Sequence, residues 1–166
     1  MAIIVEGGTG VAGANSYASL ATLRAYALAR GVTLSADDPT LEAQTIQAMD
    51  YLESFAPRFL GLRVERDQAL SWPRYGVYIN GFEYASTDIP PQLVDAESAL
   101  VMDITAGIDL FNPALASLPI IKERVEGAVE VQYSDPSGSY VATQIRQSIR
   151  LIQQLLSAGG LFVVRA

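Results

Sequence analysis

Neither cysteine nor histidine occurs anywhere in the 166 residues. Without cysteine there are no disulfide staples, thiolate zinc sites or cysteine nucleophiles, which fits an intracellular chain weakly. Without histidine, Ser-His-Asp triads, Cys-His pairs and histidine-based metal centres are excluded, and so is the side chain whose unperturbed pKa lies nearest neutrality. Positive charge is scarce as well: eleven basic residues face eighteen acidic ones, for a formal net charge of −7. The average surface therefore repels a polyanion at long range, and contact with nucleic acid needs a strong local exception. No uncharged run approaches the ~20 residues of a membrane-spanning helix. The start, Met1 to Glu6, has neither the positive segment nor the sustained apolar stretch of a secretory signal. Together these absences predict a soluble, cytoplasmic protein with no membrane contact.

Half of the residues are hydrophobic, enough for one buried core in a chain of this length. They recur mostly at helical spacing. After a short extended run at Ile3, Ile4 and Val5 and a glycine loop through Gly7, Gly8, Gly10 and Gly13, Asn15 and Ser16 are expected to cap a first helix. Its face is Tyr17, Leu20, Leu23 and Ala27, and Gly31 ends it. Asp38 and Pro39 open a second helix, with Leu41, Ala48, Leu52 and Phe55 on one side. A third follows Asp88-Ile89-Pro90-Pro91 and carries the widest stripe, Leu93, Ala96, Leu100, Ile104 and Ile108, as a central helix would. A fourth repeats Val141, Ile145, Ile149, Ile152 and Leu156.

Two regions break that period. From Arg58 to Ile89 the spacing is irregular, a long structured loop, with one hairpin expected where Val77-Tyr78-Ile79 and Phe82-Glu83-Tyr84 flank the turn pair Asn80-Gly81. From Lys122 to Tyr133 the period changes to two, which predicts a strand bearing Val125, Val129, Val131 and Tyr133 on one face. The predicted fold is thus mainly α, one domain over 1–166. It has an arm and glycine loop at 1–15, a core of about four helices within 16–156 that includes loop 58–89 and strand 122–133, and a β-prone tail at 159–166. Isolated strands must pair, with one another or with those of neighbouring subunits.

Three sets of residues are candidates for function. Gly8-Thr9-Gly10-Val11-Ala12-Gly13, with Asp37 and Asp38 further on, matches the dinucleotide fingerprint. In that fingerprint the helix begins within the glycines, whereas here its cap lies beyond them, so a connecting loop is the better reading. Arg58, Arg63, Arg66 and Arg74 are mixed with Trp72 and Tyr75, the pairing of guanidinium charge with ring faces that single-strand binders use. Glu65 and Asp67 dilute that charge, and the plainer alternative has Trp72 packing the loop and the arginines pairing with acids. Carboxylate pairs such as Glu65 with Asp67 or Asp37 with Asp38 show no spacing that separates them from a solvated acidic surface. No nucleophile, base and orienter can be named, so no enzymatic activity and no cofactor or metal is expected. The tail Leu161, Phe162, Val163, Val164 and Arg165 follows two glycines and can fold back or add to a partner's sheet.

Ile3-Ile4-Val5-Glu6 with Gly8-Thr9-Gly10, then Ala14-Asn15-Ser16-Tyr17, Gln68-Ala69-Leu70-Ser71-Trp72-Pro73-Arg74, Ile89-Pro90-Pro91-Gln92-Leu93 and the closing Val163-Val164-Arg165-Ala166 resemble the head-tail connector (adaptor) proteins of tailed bacteriophages. Similar sequences are also labelled DnaT-like single-stranded DNA-binding proteins. The resemblance implies a virion structural protein, assembled in the host bacterial cytoplasm, that docks on the portal protein as a homo-oligomeric ring of about twelve copies. It would present a platform to a tail or tail-terminator (stopper) protein and let DNA pass through its channel. Leu161 to Arg165 would then be a portal or intersubunit strand, and Val125, Val129, Val131 and Tyr133 a subunit interface. The alternative is a replication protein that binds single-stranded DNA through loop 58–75.

Overall fold

A computed structural model describes residues 2–111, 123–125, 129–131 and 147–157. Helix α1, Leu20–Leu28, is capped by Ser19, whose hydroxyl accepts from the amide of Thr22. Asn15 and Ser16 do not cap it. The Asn15 side chain accepts from the Ile4 amide at 2.8 Å, and Ser16 forms a parallel bridge with Val5, so both are engaged by the N-terminal arm. Gly31, at φ +73°, marks the exit from α1 as expected.

Helix α2, Asp38–Glu53, is capped by Asp37, one residue earlier than predicted. That shift frees Asp38 to pair with Arg24 at 2.6 Å. Helix α3, Pro91–Thr105, ends sooner than its apolar stripe suggests. Gly107 takes φ +84°, its amide reaches the Ile104 carbonyl at 2.9 Å, and the Ile108 amide reaches Asp103 at 3.0 Å. These two hydrogen bonds close the helix in a Schellman motif, so Ile108 lies beyond it and is exposed. Helix α4, Gln147–Ile152, runs into a 3₁₀ turn at Gln153–Leu155. Helix α3 packs against α1, α2 and α4, and its five consecutive residues Glu97–Val101 are buried. It is the central helix among the described residues.

The expectation of a mainly helical core is corrected. Three antiparallel strand pairs accompany the four helices among the described residues, which makes a small mixed α/β domain. Strand β1 (Leu62–Arg63) pairs with β2 (Arg74–Tyr75), and β3 (Val77–Ile79) with β4 (Phe82–Tyr84). The segment that carries these ribbons contributes to the core. Phe59, Leu70, Trp72 and Val77 are buried in the same cluster as Leu23, Leu52, Leu93 and Leu100. The cause is one of composition: the segment between α2 and α3 holds the sole tryptophan, and burying so large an apolar surface brings its backbone inward. Asn80 (φ +53°) and Gly81 (φ +84°) form the predicted turn between β3 and β4.

The single strand predicted over 122–133 is also corrected. Its described residues form two strands, β5 (Glu123–Val125) and β6 (Val129–Val131), paired with each other in the register Glu123↔Val131, Arg124↔Glu130 and Val125↔Val129. A period of two describes both arms of such a hairpin equally well. Among the described strands each therefore has a partner within the chain, whereas Tyr133 and the tail from Leu161 to Arg165 lie outside the described residues.

Candidate functional site: the arginine-bearing ribbon and its cleft

The ladder between β1 and β2 sets Leu62 opposite Tyr75 and Arg63 opposite Arg74. Directly opposed residues share a face and neighbours along a strand alternate. Both arginines therefore lie on one side of the ribbon, with Leu62 and Tyr75 on the other, where they are 61 % and 49 % exposed.

On the arginine side, Arg74 is buried and acts as a tie. Its Nε donates to Leu60 O at 2.7 Å, Nη1 to Ser71 O at 3.2 Å, and Nη2 to Gly61 O at 2.7 Å and Phe59 O at 3.3 Å. Burial, and secondly the charge of Arg63, lower its pKa. Among the described residues Arg63 is anchored only through Nη2, to Gln68 O at 2.6 Å and Leu70 O at 2.9 Å. Buried Gln68 braces the same turn. Its Nε2 donates to Leu70 O and Pro73 O, and its Oε1 accepts from the Glu65 amide. Trp72, joined to Pro73 by a cis peptide bond, is fully buried and meets Phe59 and Tyr84 edge-on at ring-centroid distances of 6.1 and 6.4 Å.

A second network joins this turn to Tyr17, ahead of α1, and to the last residue of α2. The Tyr17 hydroxyl donates to Glu53 Oε1 at 2.8 Å and accepts from the Trp72 amide at 3.1 Å. Glu53 also accepts from the Ser71 amide and hydroxyl. Burial, then the neighbouring Glu53 charge, push the Tyr17 pKa well up. Between the two networks opens a cleft of about 500 Å³ lined by Glu53, Ala56, Leu62, Arg63, Ser71 and Arg74.

The arginine and aromatic candidates thus divide. Trp72 and Arg74 are built into the interior, while Arg58, Arg63, Arg66 and Tyr75 are exposed. Arg66 lies 3.9 Å from Asp67, both almost fully solvated. Sequence reasoning missed three participants. Tyr78 and Phe82, 60 % and 78 % exposed, stand on the hairpin it predicted, and alternation along β3, with buried Val77 next to Tyr78, was the signal available for Tyr78. The third is Glu6.

The glycine motif is settled by Glu6. Its carboxylate accepts from the amides of Gly8 (2.8 Å), Thr9 (2.9 Å), Gly10 (3.0 Å) and Val11 (2.7 Å). These are the amides a dinucleotide phosphate would need, and α1 begins only at Leu20. The loop cradles its own carboxylate, and the acidic residue immediately before the glycines was the visible sign. Asp37 and Asp38 are likewise taken, the first as the cap of α2, with its pKa lowered by hydrogen bonds from Thr40. Among the described residues no cluster of three carboxylates is placed to hold a metal ion, and no helix is long and apolar enough to cross a membrane.

No curated protein and no solved structure matches the chain. One family model does match it. That family, described as "Putative DnaT-like ssDNA binding protein", matches residues 1–166, and the chain belongs to it.

Proposed function

We propose that this protein is a non-catalytic binder of single-stranded DNA that engages the strand through two of its ribbons, β1–β2 and β3–β4. The observation that carries the proposal is the exposure of three rings, Tyr75, Tyr78 and Phe82 on β2, β3 and β4, in a segment that also holds the exposed arginines 58, 63 and 66. Bases of any identity can stack on such rings while guanidinium groups meet the phosphates. Membership of a family described by single-stranded DNA binding supports it. Trp72 and Arg74 act here as scaffold. With a net charge of −7, attraction is confined to the ribbon, and the protein binds with few phosphate contacts. The test is a titration of a fluorescent oligothymidylate at low and high salt. Binding that weakens with salt, with a logarithmic slope of about −0.7 per phosphate met, is expected. No binding at low salt overturns the proposal.

A second reading is favoured by a different observation, the apolar Leu62–Tyr75 pair on the outward face of the first ribbon. An exposed apolar pair on a short ribbon with open edges suits contact with protein better than with phosphate. In that reading the chain is a virion subunit, a head-tail connector ring between portal and tail proteins. Mass photometry of the protein alone and with portal-bearing heads tests it. Attachment without oligonucleotide binding would favour the connector.

A further inference from the structure

We infer that the cleft lined by Glu53, Ala56, Leu62, Arg63, Ser71 and Arg74 is a seat for a phosphate group, with Arg63 as its principal donor. The inference rests on the single-strand reading above and assigns that activity a specific site.

Arg63 and Arg74 face each other across the ladder, which brings their Cβ atoms to ~5 Å. Two guanidinium groups on one face repel, and no acid lies within salt-bridge distance of either among the described residues. Their donors are unequally committed. Arg74 spends four N–H groups on the carbonyls of residues 59, 60, 61 and 71. Arg63 uses only Nη2, so its Nε and Nη1 meet no acceptor among the described residues. They lie on either side of Cδ, and Nη2, which both bidentate edges of a guanidinium share, is already taken, so Arg63 offers a phosphate oxygen single charge-assisted N–H donors rather than a two-bond grip.

One carboxylate, Glu53, shares the cleft and would oppose an anion. Its oxygens already accept from the Tyr17 hydroxyl and from the amide and hydroxyl of Ser71, which spreads its charge into three donors. The balance of the lining is therefore two cations against one engaged anion. A phosphate entering at the Arg63 edge relieves the repulsion between the arginines and leaves the Arg74 tie intact. Arg74 is thus a positioning residue: it holds the carbonyls around which β1 turns, and so fixes where Arg63 points.

The phosphate could come from the interior of a strand, from its 5′ end or from solution. The experiment uses the full chain and three probes: a 5′-phosphorylated oligothymidylate, the same strand without the phosphate, and inorganic phosphate against chloride at matched ionic strength. Binding of both strands alike marks an interior phosphate, and tighter binding of the first marks the terminus. In either case Arg63→Gln is expected to weaken binding about tenfold and to reduce the salt slope by about 0.7. In the wild type, inorganic phosphate should displace the strand more than chloride does. Equal affinity and equal slope in a folded Arg63→Gln overturn the seat while leaving single-strand binding standing. Should that variant not fold, equal displacement by phosphate and chloride overturns the seat in the wild type. If no strand binds but inorganic phosphate raises the thermal midpoint of the wild type more than that of Arg63→Gln, the seat stands and the single-strand reading falls.

Discussion

The hydroxyl of Ser16 lies 2.6 Å from the carbonyl of Ala18 and also within hydrogen-bond reach of the buried Glu97 carboxyl. One hydroxyl proton cannot serve both oxygens. The arrangement is satisfied if Glu97 carries a proton and donates it to Ser16 Oγ, which donates in turn to Ala18 O. Electrostatics agree, since burial, the largest influence on Glu97, raises its pKa from 4.5 to about 8. Through this contact the N-terminal arm is locked to the central helix.

A pH dependence of stability follows from that lock. An unfolded chain releases the Glu97 proton near pH 4.5, whereas the folded one retains it to about 8. The folded state binds more protons in between, so stability falls as pH rises through that window and levels above it. Urea melts at several pH values between these limits should show the decline. Glu97→Gln, neutral throughout, should flatten it, and a variant that declines like the wild type would assign the dependence to other groups.

Gly61 and Gly31 separate conformational strain from steric clash. Both have positive φ, +69° and +73°. A Cβ on Gly61 would stand 2.4 Å from the Tyr75 carbonyl oxygen and 2.6 Å from Val77 Cγ2, whereas one on Gly31 meets nothing within 4 Å. Gly31→Ala should cost about 1 kcal/mol, the penalty of a left-handed residue. Gly61→Ala carries that penalty plus the clash across the ribbon and should exceed 2 kcal/mol or so. Chemical denaturation of the two variants in parallel measures the difference, and equal losses would mean that the ribbon shifts freely to make room.

Trp72 and Arg74 are expected to report on stability first. The indole Nε1 meets no acceptor among the described residues, and the ring packs edge-on against Phe59 and Tyr84. Trp72→Ala should cost about 3–5 kcal/mol, and Trp72→Phe clearly less, because a ring still meets Phe59 and Tyr84. Arg74→Lys keeps the charge but cannot reach carbonyls on several sides, and a loss of about 2 kcal/mol is expected. Thermal melts of the three variants test the order. A stable, unperturbed Trp72→Ala would remove the tryptophan from the core.

What could be read from the sequence follows the range of the forces involved. Helices α2 and α3 declared themselves through proline, cap and apolar period, and the second ribbon through Asn80-Gly81, all signals carried by residues close together in the chain. The Arg63–Arg74 ladder had none. Two-residue strands have no period, and β2 is placed by the carbonyls that Arg74 gathers from residues 59 to 61. The burial of Trp72 and Arg74, which moved the candidate site outward to Tyr75, Tyr78 and Phe82, likewise depends on partners more than ten residues away.

Tyr78 and Phe82 offer the sharpest test of which partner the ribbons meet. Both are solvated, so their replacement by alanine should change stability by no more than about 0.5 kcal/mol. Their consequences for binding differ between the two readings. Tyr78 stands opposite Glu83 on β4, so its ring can stack only on a base that approaches beside a carboxylate, whereas Phe82 at the turn has no paired acid. If DNA is the partner, Phe82→Ala should cost about 1–3 kcal/mol per stacked base, Tyr78→Ala less, and Glu83→Gln should tighten binding by removing repulsion. If a protein surface is the partner, both ring deletions weaken association while oligonucleotide affinity stays unmeasurable. Titrating wild type, Phe82→Ala, Tyr78→Ala and Glu83→Gln with the same oligothymidylate decides it: a tighter Glu83→Gln complex points to phosphate nearby, and four flat titrations remove nucleic acid from the ribbon.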